Sequence, residues 1–298
     1  MNSEHNLGTM LKAAHTGGFA VGSFSPRYTK LIRPVVEAAQ ETSSPVIVQI
    51  SEKEIYRHRV DLEGFAREFR AVCGSAPGVP AVLHLDHTKD FAVIQRAIAC
   101  GFDSVMIDAS EWELEKNIAL TQNVVAYAHA HGVCVEAELG RIGTTDFMET
   151  DEDEERYTVP EEAEFFCRAT GVDTLAVSVG TAHGVYTIRQ PRITYDRLEK
   201  INRLVQVPLV LHGGSGVPKE MVVRAVRMPT GGVSKVNIAT DLELAMLNVL
   251  GRTGHMTDAE LNACTAEELE RARAAVKALV KDRIRNYLLS ADTAGCAC

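Results

Sequence analysis

Short apolar runs recur along this chain, and each one ends in a small or polar residue. They are rich in β-branched residues and mostly run for about four to six residues, as do strands buried on both faces of a parallel sheet. Eight of these runs are predicted strands, at residues 20–24, 46–50, 81–85, 104–107, 133–138, 174–179, 209–211 and 235–238.

Amphipathic segments separate the predicted strands, and they predict helices at residues 29–41, 90–100, 113–131, 161–170 and 195–205. In the first of them, Ile32, Val35, Val36 and Ala39 share one face. Eight strands that alternate with helices predict an α/β fold, a (β/α)8 TIM barrel. An open doubly wound sheet is the alternative, but the first strand–helix turn lacks its GxGxxG fingerprint.

No linker rich in Pro or Ser divides the chain, so we expect a single domain over residues 1–298. Residues 265–289 predict an appended helix, in which Thr265 and Glu268 form a capping box, and residues 290–298 form a tail. The apolar stripe of this helix either docks on its own domain or contacts another subunit; it comprises Leu269, Val276, Leu279, Val280 and Ile284. The acidic run at residues 149–155 follows the fifth strand, where a solvated loop or a lid is expected.

The composition and charge indicate which classes of protein the chain can belong to. Hydrophobic residues make up 46% and charged residues 24%, which is typical of a folded domain. The net charge of −9 disfavours non-specific binding to nucleic acid or anionic membrane. The chain lacks an apolar run of the ~18 residues that span a membrane, and its start does not resemble a secretory signal. Seven scattered cysteines indicate reduced thiols and a cytoplasmic protein.

Polar residues gather where the predicted strands end, which is the catalytic face of a barrel. His87, His183 and His212 stand at or after three different strand ends. One such histidine is more often structural, but three in one barrel suit a catalytic zinc with an open fourth position. Asp86, beside His87, either orients that histidine or acts as a general acid/base.

Two further features extend this set. Asp108 and Glu138 either cap helices, pair with a lysine inside the barrel, or supply a second metal position. The glycine-rich loop at residues 213–216 and the segment 237–240 follow the seventh and eighth strands, the frequent phosphate position of a barrel. A metal, an acid/base carboxylate and a phosphate site together indicate carbanion or enediolate chemistry on a sugar phosphate.

Six motifs in order resemble the class II ketose-bisphosphate aldolases. The similarity runs from about residue 19 to residue 250, and the motifs are HLDH at 84–87, SVMIDAS at 104–110, EAELG at 136–140, VGTAHGVY at 179–186, LVLHGGSG at 209–216 and KVNIATDLE at 235–243.

This resemblance implies roles for individual residues. His87, His183 and His212 would bind catalytic zinc, Asp86 would exchange a proton with the C4 hydroxyl, and Asp146 would be the mobile carboxylate that moves the C3 proton. Asp108 and Glu138 match the family's second cation position, which would hold a divalent or a monovalent ion. Dihydroxyacetone phosphate would be held by Gly184, Gly213, Gly214, Ser215, Asn237, Ile238, Ala239 and Thr240, with Asn237 near the enediolate oxygen. Ser51 and Arg27 complete the expected substrate site.

The chain departs from the family pattern on the side of the aldehyde. Residues 24–28 read FSPRY where fructose-type members usually read F-N-x-N-N, and Ala239 resembles tagatose-type members. Arg27 is either a surface residue or a ligand for an anion on the aldehyde portion. These departures leave the aldehyde and the C4 configuration open.

We therefore expect a zinc-dependent aldolase that reversibly cleaves a ketose 1-phosphate or 1,6-bisphosphate of the tagatose or fructose type. The products would be dihydroxyacetone phosphate and an aldehyde such as glyceraldehyde 3-phosphate. A metal-dependent sugar-phosphate isomerase or epimerase on the same barrel is the first alternative, and a non-catalytic sugar-phosphate binder is the second. The expected partner is a small sugar phosphate, and the expected assembly is a homodimer or homotetramer.

Overall fold

The strands close into a parallel barrel, which confirms the predicted fold. A computed structural model describes residues 6–75, 78–144, 157–184, 186 and 190–296. The barrel strands are β1 (Val21–Phe24), β2 (Val46–Ser51), β3 (Ala81–Thr88), β4 (Ser104–Ile107), β5 (Cys134–Leu139), β7 (Thr174–Val177), β9 (Leu209–Leu211) and β10 (Val233–Ile238). The order is β1-β10-β9-β7-β5-β4-β3-β2, and β1 pairs in parallel with both β2 and β10 to close the ring.

Helices surround the barrel, and several lie where the apolar pattern predicts none. They are α1 (Leu7–Gly17), α2 (Ile32–Glu41), α3 (Glu52–His58), α4 (Leu62–Gly74), α5 (Phe91–Ala99), α6 (Leu114–Ala130), α7 (Pro160–Thr170), α8 (Tyr195–Leu204), α9 (Lys219–Val226), α10 (Thr240–Leu250), α11 (Asp258–Asn262) and α12 (Ala266–Asp282). Two short strands beyond the barrel, β6 (Gly143–Thr144) and β8 (Ala182–His183), pair with each other.

The first helix closes one end of the barrel. Leu7, Met10 and Leu11 of α1 are fully buried in a cluster with residues at the starts of four barrel strands, namely Val21, Ile47, Val82 and Cys134. Because α1 covers the amino-terminal ends of the strands, only the carboxyl-terminal ends are free to form a site.

The C-terminal helix docks on its own domain. α12 begins with the predicted capping box, in which Thr265 accepts from the Glu268 N–H and the Glu268 carboxylate accepts from the Thr265 N–H. Val276, Val280 and Ile284 of the predicted stripe are fully buried, and a π-helical turn over Arg283–Leu288 follows α12. Among the described residues, no helix combines the length and apolar content that crossing a membrane requires.

The inside of the barrel is polar, and the strand register explains how its side chains meet. Gln49 is paired with His84, His84 with Ser104, and Ser51 with Asp86 on adjacent strands. In parallel strands, side chains in register lie on the same face, so Gln49, His84 and Ser104 form one interior layer, and Ser51 and Asp86 lie in the next one towards the carboxyl-terminal end. His84 is fully buried and its Nδ1 lies 2.7 Å from the Ser104 hydroxyl, as expected of a histidine inside the barrel.

Candidate active site

A cavity of about 940 Å³ opens at the carboxyl-terminal end of the barrel. Its lining includes most of the residues that the sequence singles out, contributed by strand ends and by the loops and helices that follow them. They are Arg27, Ser51, Asp86, His87, Asp108, Glu138, His183, Gly184, Gly213, Ser215, Asn237, Ala239 and Thr240. His212 and Glu136 lie below this surface and are fully buried.

Three histidines converge at the floor of the cavity. The candidate ligand atoms of His87, His183 and His212 all lie within 4.8 Å of one another. The ring centroid of His87 is 4.8 Å from that of His183 and 4.4 Å from that of His212. His183 does not stand on a barrel strand: it lies on β8, beyond β7, where β6 pairs with it. The pairing of β6 with β8 is what brings this histidine to the other two.

His87 combines a strained backbone with an unpaired nitrogen. Its φ is +31°, a value that residues with a Cβ rarely adopt and that marks a position constrained by its surroundings. The ring Nδ1 donates to the Asp108 carboxylate at 2.8 Å. The opposite nitrogen, Nε2, is buried and has no hydrogen-bond partner in the part of the chain that the structure describes. A buried imidazole nitrogen without a partner is costly unless an ion or ligand binds to it.

His212 is held between two glutamates of β5. Its Nδ1 donates to Glu138 at 3.1 Å and its Nε2 donates to Glu136 at 3.0 Å. Glu136 also accepts from Lys235 Nζ at 2.8 and 3.0 Å, so the buried lysine of the barrel pairs with Glu136 and not with Glu138. A metal ligand held from its far side by a carboxylate is the usual arrangement of metal-binding histidines.

The carboxylates shift the pKa values of the imidazoles. Burial opposes protonation of His87, but Asp86, Asp108 and Glu138 outweigh it and raise its pKa to about 10. Burial and the His87 charge oppose protonation of His212 too, yet the bonds to Glu136 and Glu138 raise its pKa. Burial, with the charges of the other two histidines, lowers the pKa of His183. The carboxylates therefore stabilise positive charge at the point where the three rings meet.

Asp86 is oriented by two amides. Gln49 Nε2 donates to one of its carboxylate oxygens and Asn237 Nδ2 to the other, each at 3.0 Å. The Ser23 hydroxyl in turn donates to the side-chain amide oxygen of Gln49, Oε1. Asp86 is 5% exposed, so this carboxylate is fixed beside the three histidines and borders the cavity.

The loop after β9 approaches other backbone so closely that it requires glycine. Gly213 has a φ of +67°, and a Cβ there would lie 2.4 Å from the Ala182 carbonyl oxygen. The Ser215 hydroxyl accepts from the Ala239 and Asp241 N–H groups, which ties this loop to the start of α10. In the described residues, the N–H groups of Ser215 and Thr240 keep no partner, as at an anion-binding helix start.

Comparisons with known proteins show to which family this chain is similar. The family model "Fructose-bisphosphate aldolase class-II" matches residues 5–292. A fructose-bisphosphate aldolase of Helicobacter pylori is 34% identical over 93% of this chain and 95% of its own length.

The chain belongs to the class II fructose-bisphosphate aldolase family. It is therefore an aldolase, a carbon–carbon lyase. Among solved structures, a putative fructose-1,6-bisphosphate aldolase of Coccidioides immitis is 31% identical with a TM-score of 0.83, covering 99% of both chains. The YdjI aldolase of Escherichia coli K12 is 27% identical with a TM-score of 0.81, covering 97% of this chain and 99% of its own.

Arg27 lies at the rim of the aldolase cavity, yet its charge is already engaged. The guanidinium donates to Glu54 at 2.8 Å and also to Glu243, and the residue is 8% exposed. Its place in the substrate site therefore stays a prediction. The predicted loop carboxylate Asp146 and the acidic run 149–155 lie outside the described residues.

Several polar residues of the aldolase site carry no role in the sequence analysis, and Gln49, Lys235, Glu136 and Lys53 are examples. Gln49 is a single polar residue inside an apolar run, and Lys235 begins the predicted strand 235–238; a polar residue in a strand buried on both faces is the signal that could have marked them. Glu136 alternates with Glu138 and so faces the same side of β5. Lys53, on α3, gives no such signal because it is one charged residue among several.

Proposed function

We propose that this aldolase uses zinc and reversibly cleaves a ketose 1-phosphate or 1,6-bisphosphate of the tagatose or fructose type. The products are dihydroxyacetone phosphate and an aldehyde such as glyceraldehyde 3-phosphate. The observation that carries the proposal is Asp86, which two amides hold against a cluster of three imidazoles at the floor of the cavity.

The donor set fits zinc. His87 offers a buried nitrogen that has no partner among the described residues. His212 can keep its Nε2 bond to Glu136, and its Nδ1, which lies 3.1 Å from Glu138, would lose its proton to become the ligand. His183 completes three neutral nitrogen ligands, the set that leaves a fourth position open for substrate. Zinc bound there would supply a Lewis acid for the charge that develops on the substrate oxygens. Asp108 and Glu138, with His87, form a second group that suits an additional cation, divalent or monovalent.

Asp86 is the group that we assign to proton transfer. Its carboxylate would accept the proton of the C4 hydroxyl as the C3–C4 bond breaks, and would return it when the bond forms. Gln49 and Asn237 keep the carboxylate oriented through both directions. Asn237 would also reach the substrate with its Oδ1, which is buried without a partner. We propose Asp146 for the C3 proton, on the resemblance alone.

The phosphate of dihydroxyacetone phosphate would bind at the start of α10. In the described residues, the N–H groups of Ser215 and Thr240 have no hydrogen-bond partner there. The positive end of the helix dipole also favours an anion. Asp241, in the first turn, does not oppose the phosphate because Arg283 pairs with it at 2.9 Å. Gly184, Gly213, Gly214, Ile238 and Ala239 form the backbone of this subsite.

A cleavage screen tests the proposal. The zinc-loaded protein is assayed over ketose 1-phosphates and 1,6-bisphosphates of both C4 configurations, and the products are identified. Release of dihydroxyacetone phosphate is the expected result. Conversion without a broken carbon–carbon bond would instead show an isomerase or epimerase, and a Schiff base trapped by borohydride would exclude the zinc mechanism.

We also propose a cytoplasmic homodimer or homotetramer. All six cysteines in the described part of the chain are free, which suits a reducing compartment. Sedimentation equilibrium measures the assembly state directly. A monomer at micromolar concentration would contradict the proposed homodimer or homotetramer.

A further inference from the structure

Helix α3 presents two cations to the mouth of the cavity. It begins directly after β2, where Ser51 is both the last strand residue and the N-cap. Lys53 and Arg57 lie four residues apart on this helix, so they share a face, with their Cβ atoms about 5–6 Å apart. Both line the cavity and both side chains are exposed to it and to solvent.

The carboxylates of α3 do not neutralise these two cations. Glu52 accepts from the backbone N–H groups of Lys89 and Asp90. Glu54 turns inward to Arg27, Ser25 and the Ser51 N–H. Within the ranges that the structure describes, no carboxylate lies within ion-pair distance of Lys53 or Arg57.

The other cations of the cavity are occupied. Arg27 is held by Glu54 and Glu243, and Lys89 pairs with Glu111 at 2.6 Å. Arg141 donates to the carbonyl oxygens of Ser110 and Glu111. Among the described residues that line this rim, Lys53 and Arg57 are therefore the two Lys or Arg side chains whose donors are left for a ligand.

We propose that Lys53 and Arg57 bind an anionic group at the distal end of the aldehyde half of the substrate, and that they select such substrates. This inference rests on the proposed function, since it assumes that dihydroxyacetone phosphate occupies the subsite at α10. In the closed barrel, β1 lies between β2 and β10, so α3 and the subsite at α10 occupy different positions on one rim, and the far end of a ketose with its phosphate at α10 would extend towards α3. Two cations one turn apart suit a phosphate or a carboxylate, since both accept several charge-assisted hydrogen bonds.

Matched substrates test the proposal. We compare kcat/KM for a ketose 1,6-bisphosphate with that for the 1-phosphate of the same ketose, which differs only at the distal group. In the synthesis direction, an aldehyde that ends in a carboxylate is compared with one that ends in phosphate and one that is neutral. The variants are Lys53→Met, Arg57→Met and the double variant, which keep the apolar stems and remove the charges. Lys12→Met, on α1 at the closed end of the barrel, is the control.

The wild type should have a higher kcat/KM for the substrate with the anionic distal end. In the double variant, the ratio of the two kcat/KM values should fall by about 10- to 100-fold, as expected for charge-assisted hydrogen bonds at a partly exposed site. Lys53→Arg should retain most of the wild-type ratio, and Lys12→Met should retain all of it. Rising salt should reduce the ratio. Whichever of phosphate and carboxylate shows the larger change is the natural distal group.

Two results would overturn this inference: a wild type indifferent to the distal charge, or a double variant that keeps the wild-type ratio while its melting temperature shows that it is folded. Failure of the proposed function looks different. In that case the zinc-loaded wild type would cleave no ketose phosphate of either kind, and it would not exchange the C3 proton of dihydroxyacetone phosphate with solvent.

Discussion

Asp86 and His87 are neighbours in sequence but have opposite surroundings. Two amides donate to the Asp86 carboxylate, whereas the His87 Nε2 has no partner and its backbone φ is +31°. A strained conformation persists only where the packing around it enforces it. Here the strain places the Asp86 carboxylate and the proposed metal-binding nitrogen of His87 side by side on one strand end.

Replacing Asp86 by alanine should separate these two roles. We expect Asp86→Ala to keep stoichiometric zinc and to lose about 10²- to 10⁴-fold in kcat, the usual contribution of a positioned proton-transfer group. The measurements are metal content after dialysis and steady-state cleavage. Loss of the metal from this variant would show that Asp86 supports the ligands, and our assignment of the proton transfer would be wrong.

Glu54 gives a prediction about pH. Burial alone would raise its pKa, but Arg27, the Ser51 N–H and the Ser25 hydroxyl outweigh burial and hold the pKa of Glu54 below its usual range. A carboxyl whose pKa is lowered by folding stabilises the protein above its unfolded pKa. That contribution disappears as the pH falls from about 4.5 through the lower folded value.

Glu54→Gln should therefore cost about 1–3 kcal/mol of unfolding free energy at pH 7, because the bonds to a charged group are lost. The difference from wild type should shrink as the pH falls from 5 to 3, since the wild type then loses the same ion pair. Urea unfolding at several pH values measures both effects, with Glu115→Gln on the exposed face of α6 as control. A difference that does not depend on pH would contradict this account of Glu54.

At the scale of elements, the loop after β9 and the short strand β8 depend on each other. Gly213 lies against Ala182, and Ala182 precedes His183 on β8. A side chain at position 213 would push directly on the strand that carries a proposed zinc ligand. The loop that would bind phosphate and the histidine that would bind metal are thus set by one close backbone contact.

Gly213→Ala should lower kcat/KM by at least about 10-fold and weaken zinc binding, because its Cβ would lie 2.4 Å from the Ala182 oxygen at a positive φ. Gly101→Ala is the matched control: Gly101 also has a positive φ, of +85°, but a Cβ there meets open space. The control should lose about 1–2 kcal/mol of stability from backbone strain and keep its activity. Equal loss of activity in both variants would mean that the contact with Ala182 does not matter.

The sequence predicts which segments form strands better than it predicts which segments pair or pack with each other. Each of the eight predicted strands is present, because a buried parallel strand is visible as a local apolar run. α3 was missed because it begins directly after β2 and its buried residues are Glu54, Ile55 and His58, of which only one is apolar, so the segment has no clear apolar periodicity. His183 was placed after a barrel strand, but the pairing of β8 with β6 that positions it involves residues about 40 positions apart in the chain.

The sequence likewise does not predict which polar side chains pair inside the barrel. Lys235 and Glu136 are 99 residues apart and meet only because the barrel closes. From the sequence, a lysine partner for Asp108 or Glu138 was one open alternative, and the structure instead pairs the lysine with Glu136. Contacts across a closed sheet depend on register and closure, which no local pattern of residues contains.

At the scale of the whole molecule, the barrel encloses a cluster of carboxylates that needs positive charge. Asp86, Asp108, Glu136 and Glu138 surround the three histidines, and Lys235 pairs with Glu136 alone. Asp86, Asp108 and Glu138 outweigh burial and raise the pKa of His87 to about 10, so positive charge at this imidazole is stabilised. The three histidines lie on β3, on β8 and directly after β9, so an ion bound by them would connect distant parts of the chain.

Removing the metal should therefore destabilise the entire barrel. A ligand that binds only the folded state at 100 times its Kd adds about 2.7 kcal/mol, so zinc should raise the melting temperature of the chelated protein by roughly 5–10 °C. Because zinc must displace a proton from His87 and from His212, whose pKa values are raised, its affinity and the thermal shift should grow as the pH rises from 6 to 8. Scanning calorimetry at graded zinc concentrations measures the shift, and His212→Ala, which lacks one ligand, should show little of it. A shift of the same size in His212→Ala, or one that shrinks as the pH rises, would place the zinc somewhere other than on these three imidazoles.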